Sequence, residues 1–199
     1  MIMPATAQSS LSKAVFLDRD GVINVDHGYV SQLANFEFIE GSISAMRKLY
    51  QAGYKIIIVT NQSGIARGYY SEKTFLDLMA GVEKILRKNG VKISGTYYCP
   101  HHPEASLPQW RIACKCRKPA SGMLEKAIND HQIDPTQSFM VGDKMSDIEA
   151  CLGAGLAQCC LVGHQNMHIG DSRRTVMRTF CNLRECVDAI LLHKDNIPK

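Results

Sequence analysis

The chain has 199 residues, of which 45% are hydrophobic and 21% are charged, and its formal net charge is +4. This length suffices for one well-buried core and is short for two. The weak and scattered positive charge argues against a nucleic-acid groove, whereas a few cations would suit a phosphorylated small molecule. Residues 1–12 lack the apolar core of a signal peptide, and no apolar run is long enough to cross a bilayer. We therefore expect a cytoplasmic monomer with a flexible segment at 1–12 and a single domain at 13–199.

Apolar runs alternate with helical patterns along the chain. Five runs predict buried strands: residues 14–17, 55–59, 93–98, 138–141 and 158–162. A short alternating segment at 36–39 predicts an edge strand. Five helices are predicted to start at Ser42, Ser71, Ser121, Ser146 and Asn182. Strands that alternate with helices indicate an α/β fold with a doubly wound parallel sheet.

The first strand runs directly into two acids, Asp18 and Asp20. If the chain stays extended, these two side chains share one side while Arg19 faces the other, and Gly21 permits the turn that follows. Two like charges at the end of a dry strand are tolerable if a cation lies between them or one is protonated. Taken alone, the stretch fits either a metal-binding carboxylate pair or an ordinary polar turn.

Two further polar turns follow predicted strands, at residues 60–64 and 142–147. Ligands of such sheets bind outside the carboxyl ends of the strands, so the three turns can form one site. Asp143 adds a third carboxylate, and carboxylates with room for water suit Mg²⁺. Asp147, one helical turn later, can bind the metal directly or orient a neighbouring group. Carboxylates alone would repel a phosphate, and the pair Arg117-Lys118 is the best candidate for the required cation.

These groups fit phosphoryl transfer, which needs positioning and neutralisation of charge on the phosphoryl oxygens. One aspartate can attack phosphorus, and the other can protonate the leaving alkoxide and later activate water. We expect Asp18 to be the nucleophile, because it lies nearest the strand end, and Asp20 to be the acid/base.

Four motifs in order resemble those of the haloacid dehalogenase (HAD) superfamily of phosphatases. They are the D-x-D-G sequence from Asp18, Thr60 with Asn61, Lys118, and Gly142-Asp143. Residues 24–30, 60–68, 98–103 and 114–119 are more closely similar to the heptose-1,7-bisphosphate 7-phosphatase family, which lies in the histidinol-phosphatase-like subfamily. The resemblance covers roughly residues 13–165 and implies a HAD-type fold without a large cap domain.

The resemblance also implies an activity. It would be Mg²⁺-dependent removal of the C7 phosphate of a heptose bisphosphate through an aspartyl-phosphate, in the supply of lipopolysaccharide core. It would make Asp18, Asp20, Thr60 and Lys118 catalytic. Mg²⁺ would be bound by Asp18, Asp143 and the backbone carbonyl of Asp20, with Lys144 beside it. The implied substrate-binding residues are Asp26, His27, Gly28, Tyr29, Asn61, Gln62, Ser63 and Arg117.

The loop 99–119 contains a second group of metal-ligand residues. Cys99, Cys114 and Cys116 with one histidine would give a closed, structural Zn²⁺ site. His101 and His102 both have suitable spacing, and the resemblance favours His101. The alternative is an irregular loop with free thiols, but a long loop with little apolar content needs a staple. Since Cys116 directly precedes Arg117-Lys118, zinc would also fix the base of both phosphate-binding cations.

The other cysteines are predicted to be small core residues with free thiols, because a cytoplasmic protein seldom has disulfides. They are Cys151, Cys159, Cys160, Cys181 and Cys186. Two competing functions stay open: a histidinol-phosphate phosphatase, and a zinc-stapled binding module without catalysis. The full set of motif residues argues against the second.

Overall fold

A computed structural model describes residues 11–163 and 176–195 of the chain, with side chains in the last helix as far as Leu192. Strands in this part are β1 (Ala14–Leu17), β2 (Lys55–Asn61), β3 (Ile93–Cys99), β4 (Phe139–Gly142), β5 (Gln158–Val162) and β6 (Val176–Phe180). Helices are α1 (Ser42–Gln51), α2 (Ser63–Ala66), α3 (Glu72–Lys88), α4 (Gly122–His131), α5 (Met145–Gly153) and α6 (Leu183–Asp195). Short 3-10 turns lie at Leu33–Asn35, Pro108–Trp110 and Pro135–Gln137.

The strands form one parallel sheet in the order β3-β2-β1-β4-β5-β6. The sheet is buried on both faces, and β1 shows why its sequence is an unbroken apolar run. Val15 and Leu17 pack into one core cluster with residues of α1, α3 and α6. Ala14 and Phe16 pack into another with residues of α4 and α5. The prediction of a doubly wound parallel sheet is therefore confirmed.

The sheet order places a crevice at the end of β1. This strand pairs with β2 on one side and β4 on the other, so the connections leave it in opposite directions. Ligands of such sheets bind where the strand order reverses, outside the carboxyl ends of the strands. Between β1 and β2 the chain forms a loop, the 3-10 turn Leu33–Asn35 and α1, without a separate cap domain.

Three details differ from the sequence prediction. The edge strand at 36–39 is absent, and Phe38 makes only an isolated antiparallel bridge with Asn24. The edge strand β6 was missed, because its sequence mixes polar and apolar residues after a polar stretch. Ser42 does not cap α1 as predicted, but is its first residue and is buried. The N-cap position is occupied by Gly41, whose backbone is in the left-handed region (φ 82°). The sequence also predicts that His164 and His168 are exposed to solvent, and both lie outside the residues that the structure describes.

The expectation that all cysteines outside the loop are core thiols is wrong for three of them. Cys151 in α5 and Cys159 in β5 form a disulfide. The helix packs on its neighbouring strand with these two Cα atoms 5.9 Å apart, which is within disulfide reach. Cys181 is exposed, because it lies in the bend between β6 and α6. Cys160 and Cys186 are buried free thiols, as expected. No helix among the described residues has both the length and the apolar character needed to span a bilayer.

Candidate active site

A cleft of about 320 Å³ opens at the carboxyl ends of β1, β2 and β4. Most of the predicted site residues line it: Asp18, Asp20, Asp26, Gly28, Tyr29, Thr60, Asn61, Gln62, Ser63, Lys118 and Lys144. Arg19, Tyr70, Ser146 and Asp147 line it as well. The three polar turns of the sequence thus meet at one place.

Lys118 is the buried cation of this cleft. It is 3% exposed, and its Nζ lies 2.8 Å from Asp18 Oδ1 and 2.6 Å from Asp147 Oδ1. The same nitrogen donates to the Val59 carbonyl at 2.9 Å. Burial by itself would lower the pKa of Lys118, but Asp18 and Asp147 outweigh it and raise that pKa. Lys118 is therefore a permanent positive charge beside the Asp18 carboxylate.

Three carboxylates converge next to this lysine. One oxygen each of Asp18, Asp143 and Asp147 lies within 4.8 Å of the others. Burial, together with the charges of Asp18 and Asp147, raises the pKa of Asp143 to about 7. Gly21 (φ 83°) lets the chain pass close by, because a Cβ there would collide with the Asp143 carboxyl group. A compact set of buried carboxylate oxygens with excess negative charge suits a hard divalent cation.

The side chain of Asp20 lies apart from this cluster and has its own cation. Arg19 contacts both Asp20 carboxylate oxygens, with Nη2 at 2.8 Å from each and Nε at 3.1 Å from Oδ2. Asn24 and Gln62 donate to the same carboxylate at 3.0 and 3.3 Å. The prediction that Arg19 faces away is wrong, since β1 ends at Leu17 and the alternation of an extended strand ends with it. Arg19 is 1% exposed and helps to position Asp20.

The second turn holds Lys118 in place. Asn61 ends β2, and its side chain accepts from the Lys118 N–H at 3.1 Å and donates to the Lys118 carbonyl at 3.0 Å. Thr60 is buried, and its hydroxyl accepts from Gln62 Nε2 at 2.8 Å. Asn61 thus contacts protein backbone as well as lining the cleft.

The loop after the first turn forms one wall of the cleft. Asp26 pairs with Lys144 at 3.4 Å, and Lys144 also lies 3.6 Å from Asp143. His27 faces away from the lining and pairs with Glu37 at 2.9 Å. Arg117 is likewise outside the lining, and its guanidinium donates to the His101 carbonyl at 3.3 Å.

The four predicted zinc ligands also come together. The three sulfurs of Cys99, Cys114 and Cys116 lie 3.1–3.5 Å apart. His101 Nδ1 is 3.4 Å from Cys116 Sγ and 3.8 Å from Cys99 Sγ. Around a tetrahedral Zn²⁺ with Zn–S bonds of about 2.3 Å, two ligand sulfurs lie about 3.8 Å apart. The distances between the sulfurs here are therefore close to those that zinc requires. His102 is not part of the set and contacts Arg67 at 3.4 Å instead. This Cys/His cluster can bind a metal ion.

Sequence reasoning missed Tyr70 as a residue of the cleft, because no motif or periodicity marks it. Ser146 lies within the third polar turn, but it was predicted only to start a helix. The Tyr70 hydroxyl contacts Gln62 at 2.7 Å. Asp147 has one oxygen on Lys118, and the other accepts from the Lys144 N–H at 3.0 Å.

Comparison with known proteins agrees with this geometry. Residues 15–171 match the family of polynucleotide kinase 3 phosphatases. A D-glycero-beta-D-manno-heptose-1,7-bisphosphate 7-phosphatase of Haemophilus influenzae is 51% identical over 152 residues, which are 76% of this chain and 82% of that protein. Its namesake in Escherichia coli K12 is 50% identical over 149 residues, covering 75% and 78%.

A solved structure is similar over nearly the whole chain. It is that of D,D-heptose 1,7-bisphosphate phosphatase from B. bronchiseptica complexed with magnesium and phosphate. The TM-score is 0.78 at 29% identity, covering 91% of this chain and 99% of that one. The resemblance indicated by the four motifs is confirmed. The chain belongs to the matched family of polynucleotide kinase 3 phosphatases and, within it, to the heptose-1,7-bisphosphate 7-phosphatases. It is a phosphoric monoester hydrolase with a HAD-type fold.

Proposed function

We propose that the protein hydrolyses the C7 phosphate of D-glycero-β-D-manno-heptose 1,7-bisphosphate and leaves heptose 1-phosphate. One observation carries the proposal. Asp18 lies at the end of β1 in contact with Lys118, within a group of three carboxylates, while Asp20 is held separately by Arg19. A nucleophile, a phosphate-binding cation and an acid/base are thus adjacent in one cleft. The substrate is taken from the relatives that are about half identical to this chain.

The chemistry follows from the positions of the two acids. Asp18 attacks phosphorus and forms an O–P bond while the bond from phosphorus to O7 breaks. Asp20 gives a proton to O7, so the heptose leaves as an alcohol. Asp20 then takes a proton from water, which attacks the aspartyl-phosphate and releases inorganic phosphate. Lys118 and Thr60 hold the transferring phosphoryl group throughout.

Two metal ions belong to the proposal. Asp18 and Asp143 would hold Mg²⁺ through their side chains and Asp20 through its backbone carbonyl, with Lys144 in the same loop. When bound, Mg²⁺ neutralises charge on the phosphoryl oxygens and on the carboxylates. The raised pKa of Asp143 supports this, because burial and the charges of Asp18 and Asp147 disfavour its ionised form, and a bound cation would offset both. Zn²⁺ would be bound by Cys99, His101, Cys114 and Cys116 in a structural role.

Substrate selection is assigned to the rim of the cleft. Asp26, Gly28, Tyr29 and Ser63 would contact the sugar, whereas His27 of the same loop is turned to Glu37. Arg117 would bind the phosphate at C1. We further propose that the enzyme acts as a monomer in the cytoplasm, as a single domain over 13–199, in the supply of lipopolysaccharide core. Size-exclusion chromatography and cell fractionation test the first two points.

A phosphate-release panel tests the substrate. It compares both anomers of the heptose bisphosphate with fructose bisphosphate and histidinol phosphate, in Mg²⁺, by kcat/KM. We expect the β anomer to be preferred and heptose 1-phosphate to accumulate with its C1 phosphate intact. A preference for histidinol phosphate would replace the proposed activity with the competing one, and no turnover of any member would contradict both.

A further inference from the structure

Partly buried hydrogen bonds connect a tyrosine at the cleft to the Asp20 carboxylate. The Tyr70 hydroxyl donates to Gln62 Oε1 at 2.7 Å. Gln62 Nε2 donates in turn to Asp20 Oδ2 at 3.3 Å and to Thr60 Oγ1 at 2.8 Å. Gln62 is only 2% exposed, and both ends of its amide are used by these contacts. Gln62 therefore links protein groups, although the sequence resemblance implied that it binds substrate.

The direction of this chain of hydrogen bonds is fixed at its tyrosine end. A side-chain amide has one accepting end, its oxygen, and one donating end, its nitrogen. Burial raises the pKa of Tyr70 to about 12, so its hydroxyl keeps its proton and can donate at neutral pH. The amide of Gln62 must then turn its oxygen to Tyr70 and its nitrogen to Asp20. Without the hydroxyl, the buried Gln62 oxygen would lose its donor and the amide would be held at one end only.

The ring of Tyr70 is itself held by close packing. It lies against the backbone of α2, where a Cβ on Gly64 would overlap the ring. The neighbouring Tyr69 N–H donates to the Gly64 carbonyl at 2.9 Å, which ties this segment to the same turn. The Tyr70 ring is thus packed against α2, with its hydroxyl at Gln62.

We propose that Tyr70 and Gln62 are positioning residues for the proton transfer by Asp20. Arg19 and Asn24 hold the Asp20 carboxylate from one side, and the Gln62 amide holds it from the other. Tyr70 fixes that amide through the hydrogen bond from its hydroxyl. The inference rests on the proposed function, in which Asp20 protonates the leaving oxygen.

The identity of the leaving group separates this role from a structural one. A sugar alkoxide needs a proton as it leaves, whereas the nitrophenolate of 4-nitrophenyl phosphate leaves without one. The parameter kcat/KM reports the steps up to release of the leaving group, so it does not include the later attack of water. Misplacing Asp20 should therefore lower kcat/KM for an alkyl phosphate and spare it for the aryl phosphate.

The experiment compares Tyr70→Phe with a matched control, Tyr98→Phe. Tyr98 also donates from its hydroxyl at 2.7 Å, but to Glu72, which has no contact with Asp20 in the structure. We expect Tyr70→Phe to lower kcat/KM for the heptose bisphosphate about tenfold and for 4-nitrophenyl phosphate less than about twofold. Tyr98→Phe should change the ratio of the two values by less than about twofold. Thermal melting of both variants shows whether each is folded.

A double-mutant cycle tests the link through Gln62. Gln62→Ala removes the contact with Thr60 as well, so it should reduce turnover of both substrates. Adding Tyr70→Phe to that variant should not change the ratio of kcat/KM for the heptose bisphosphate to kcat/KM for 4-nitrophenyl phosphate any further, because the tyrosine acts through the amide. An independent tenfold loss in the double variant would overturn the inference.

Two other results would also overturn it. One is an equal loss on alkyl and aryl phosphates in Tyr70→Phe, which would indicate a general structural effect. The other is an unchanged ratio in a folded Tyr70→Phe protein. If the wild type did not hydrolyse heptose bisphosphate, the proposed function would fail by itself. The same ratio would then be measured with whichever alkyl phosphate of the panel is hydrolysed, and the positioning role stands or falls on that value.

Discussion

Replacing Lys118 by methionine tests whether this residue balances the buried acids. Its Nζ lies 2.8 Å from Asp18 and 2.6 Å from Asp147, and all three side chains are nearly inaccessible to solvent. With an effective dielectric constant near 20, each contact corresponds to a gross attraction of about 6 kcal/mol. In the methionine variant, most of this lost attraction is offset, because no charged lysine has to be moved from water into the interior. Breaking a buried ion pair on one side usually costs a net of about 3–5 kcal/mol, and we expect that loss in the free energy of unfolding.

The loss should depend on pH in a definite direction. Burial and the neighbouring acids raise the pKa of Asp143 from 3.8 to about 7 even with Lys118 present. A carboxyl group whose pKa is higher in the folded state favours folding at low pH, and this contribution is lost as the pH rises through about 7. Removing Lys118 raises the carboxyl pKa values further. The destabilisation should therefore be largest at pH 8 and clearly smaller at pH 5.

Urea unfolding without added Mg²⁺ measures the loss and its pH dependence, at pH 8 and at pH 5. The matched control is Lys126→Met, because Lys126 pairs with Asp130 on the surface and is 67% exposed. That change should stay within about 0.5 kcal/mol at either pH. Adding Mg²⁺ should restore part of the stability of Lys118→Met but not its turnover, since the phosphoryl group still lacks its cation. A loss below about 1 kcal/mol at pH 8 would refute the role of Lys118 as the balancing charge.

Three further changes test other parts of the site. Asp18→Asn should leave the protein folded, because Asp147 still pairs with Lys118. It should lower turnover at least ~10⁴-fold, because an amide cannot form the aspartyl-phosphate, and appreciable residual activity would mean that the nucleophile is misassigned. Removal of zinc should lower turnover indirectly, through disorder at Lys118. The loss should be partial, because Asn61 still holds the Lys118 backbone by two hydrogen bonds. Unchanged turnover in zinc-free protein would contradict this link between zinc and Lys118. Arg117→Met should raise KM for the bisphosphate about tenfold and leave KM for 4-nitrophenyl phosphate unchanged, whereas equal effects on both would remove Arg117 from recognition of the second phosphate.

The sequence was sufficient for the elements that carry the catalytic groups. Buried parallel strands have a strong signature, an unbroken apolar run followed by a polar turn, and β1, β2 and β4 all show it. Because such strands end at one edge of the sheet, the approach of Asp18, Thr60 and Asp143 could be predicted without coordinates. The Cys/His cluster was also predictable, since few other roles explain four ligand residues in one short loop.

The parts that could not be predicted depend on packing between segments that are distant in sequence. The disulfide between Cys151 and Cys159 requires the distance from α5 to β5, which no local pattern encodes. Edge strand β6 lacks the apolar run of a central strand, and none of its residues is fully buried. Tyr70 reaches Gln62 across a turn, and its aromatic ring by itself would suggest an ordinary core residue.

The two acids of the first turn show how the structure changes a chemical argument. Considered as an extended strand, Asp18 and Asp20 would point the same way and repel, and a shared metal ion would be their only counter-charge. In the structure, each carboxylate has its own buried cation, Lys118 for Asp18 and Arg19 for Asp20. The repulsion between them is therefore balanced locally. The two carboxylates also have different neighbours: Lys118 and two further carboxyl groups around Asp18, and a set of hydrogen-bond donors around Asp20. This difference supports the separate roles that we propose for two identical side chains two positions apart in sequence, Asp18 as nucleophile and Asp20 as acid/base.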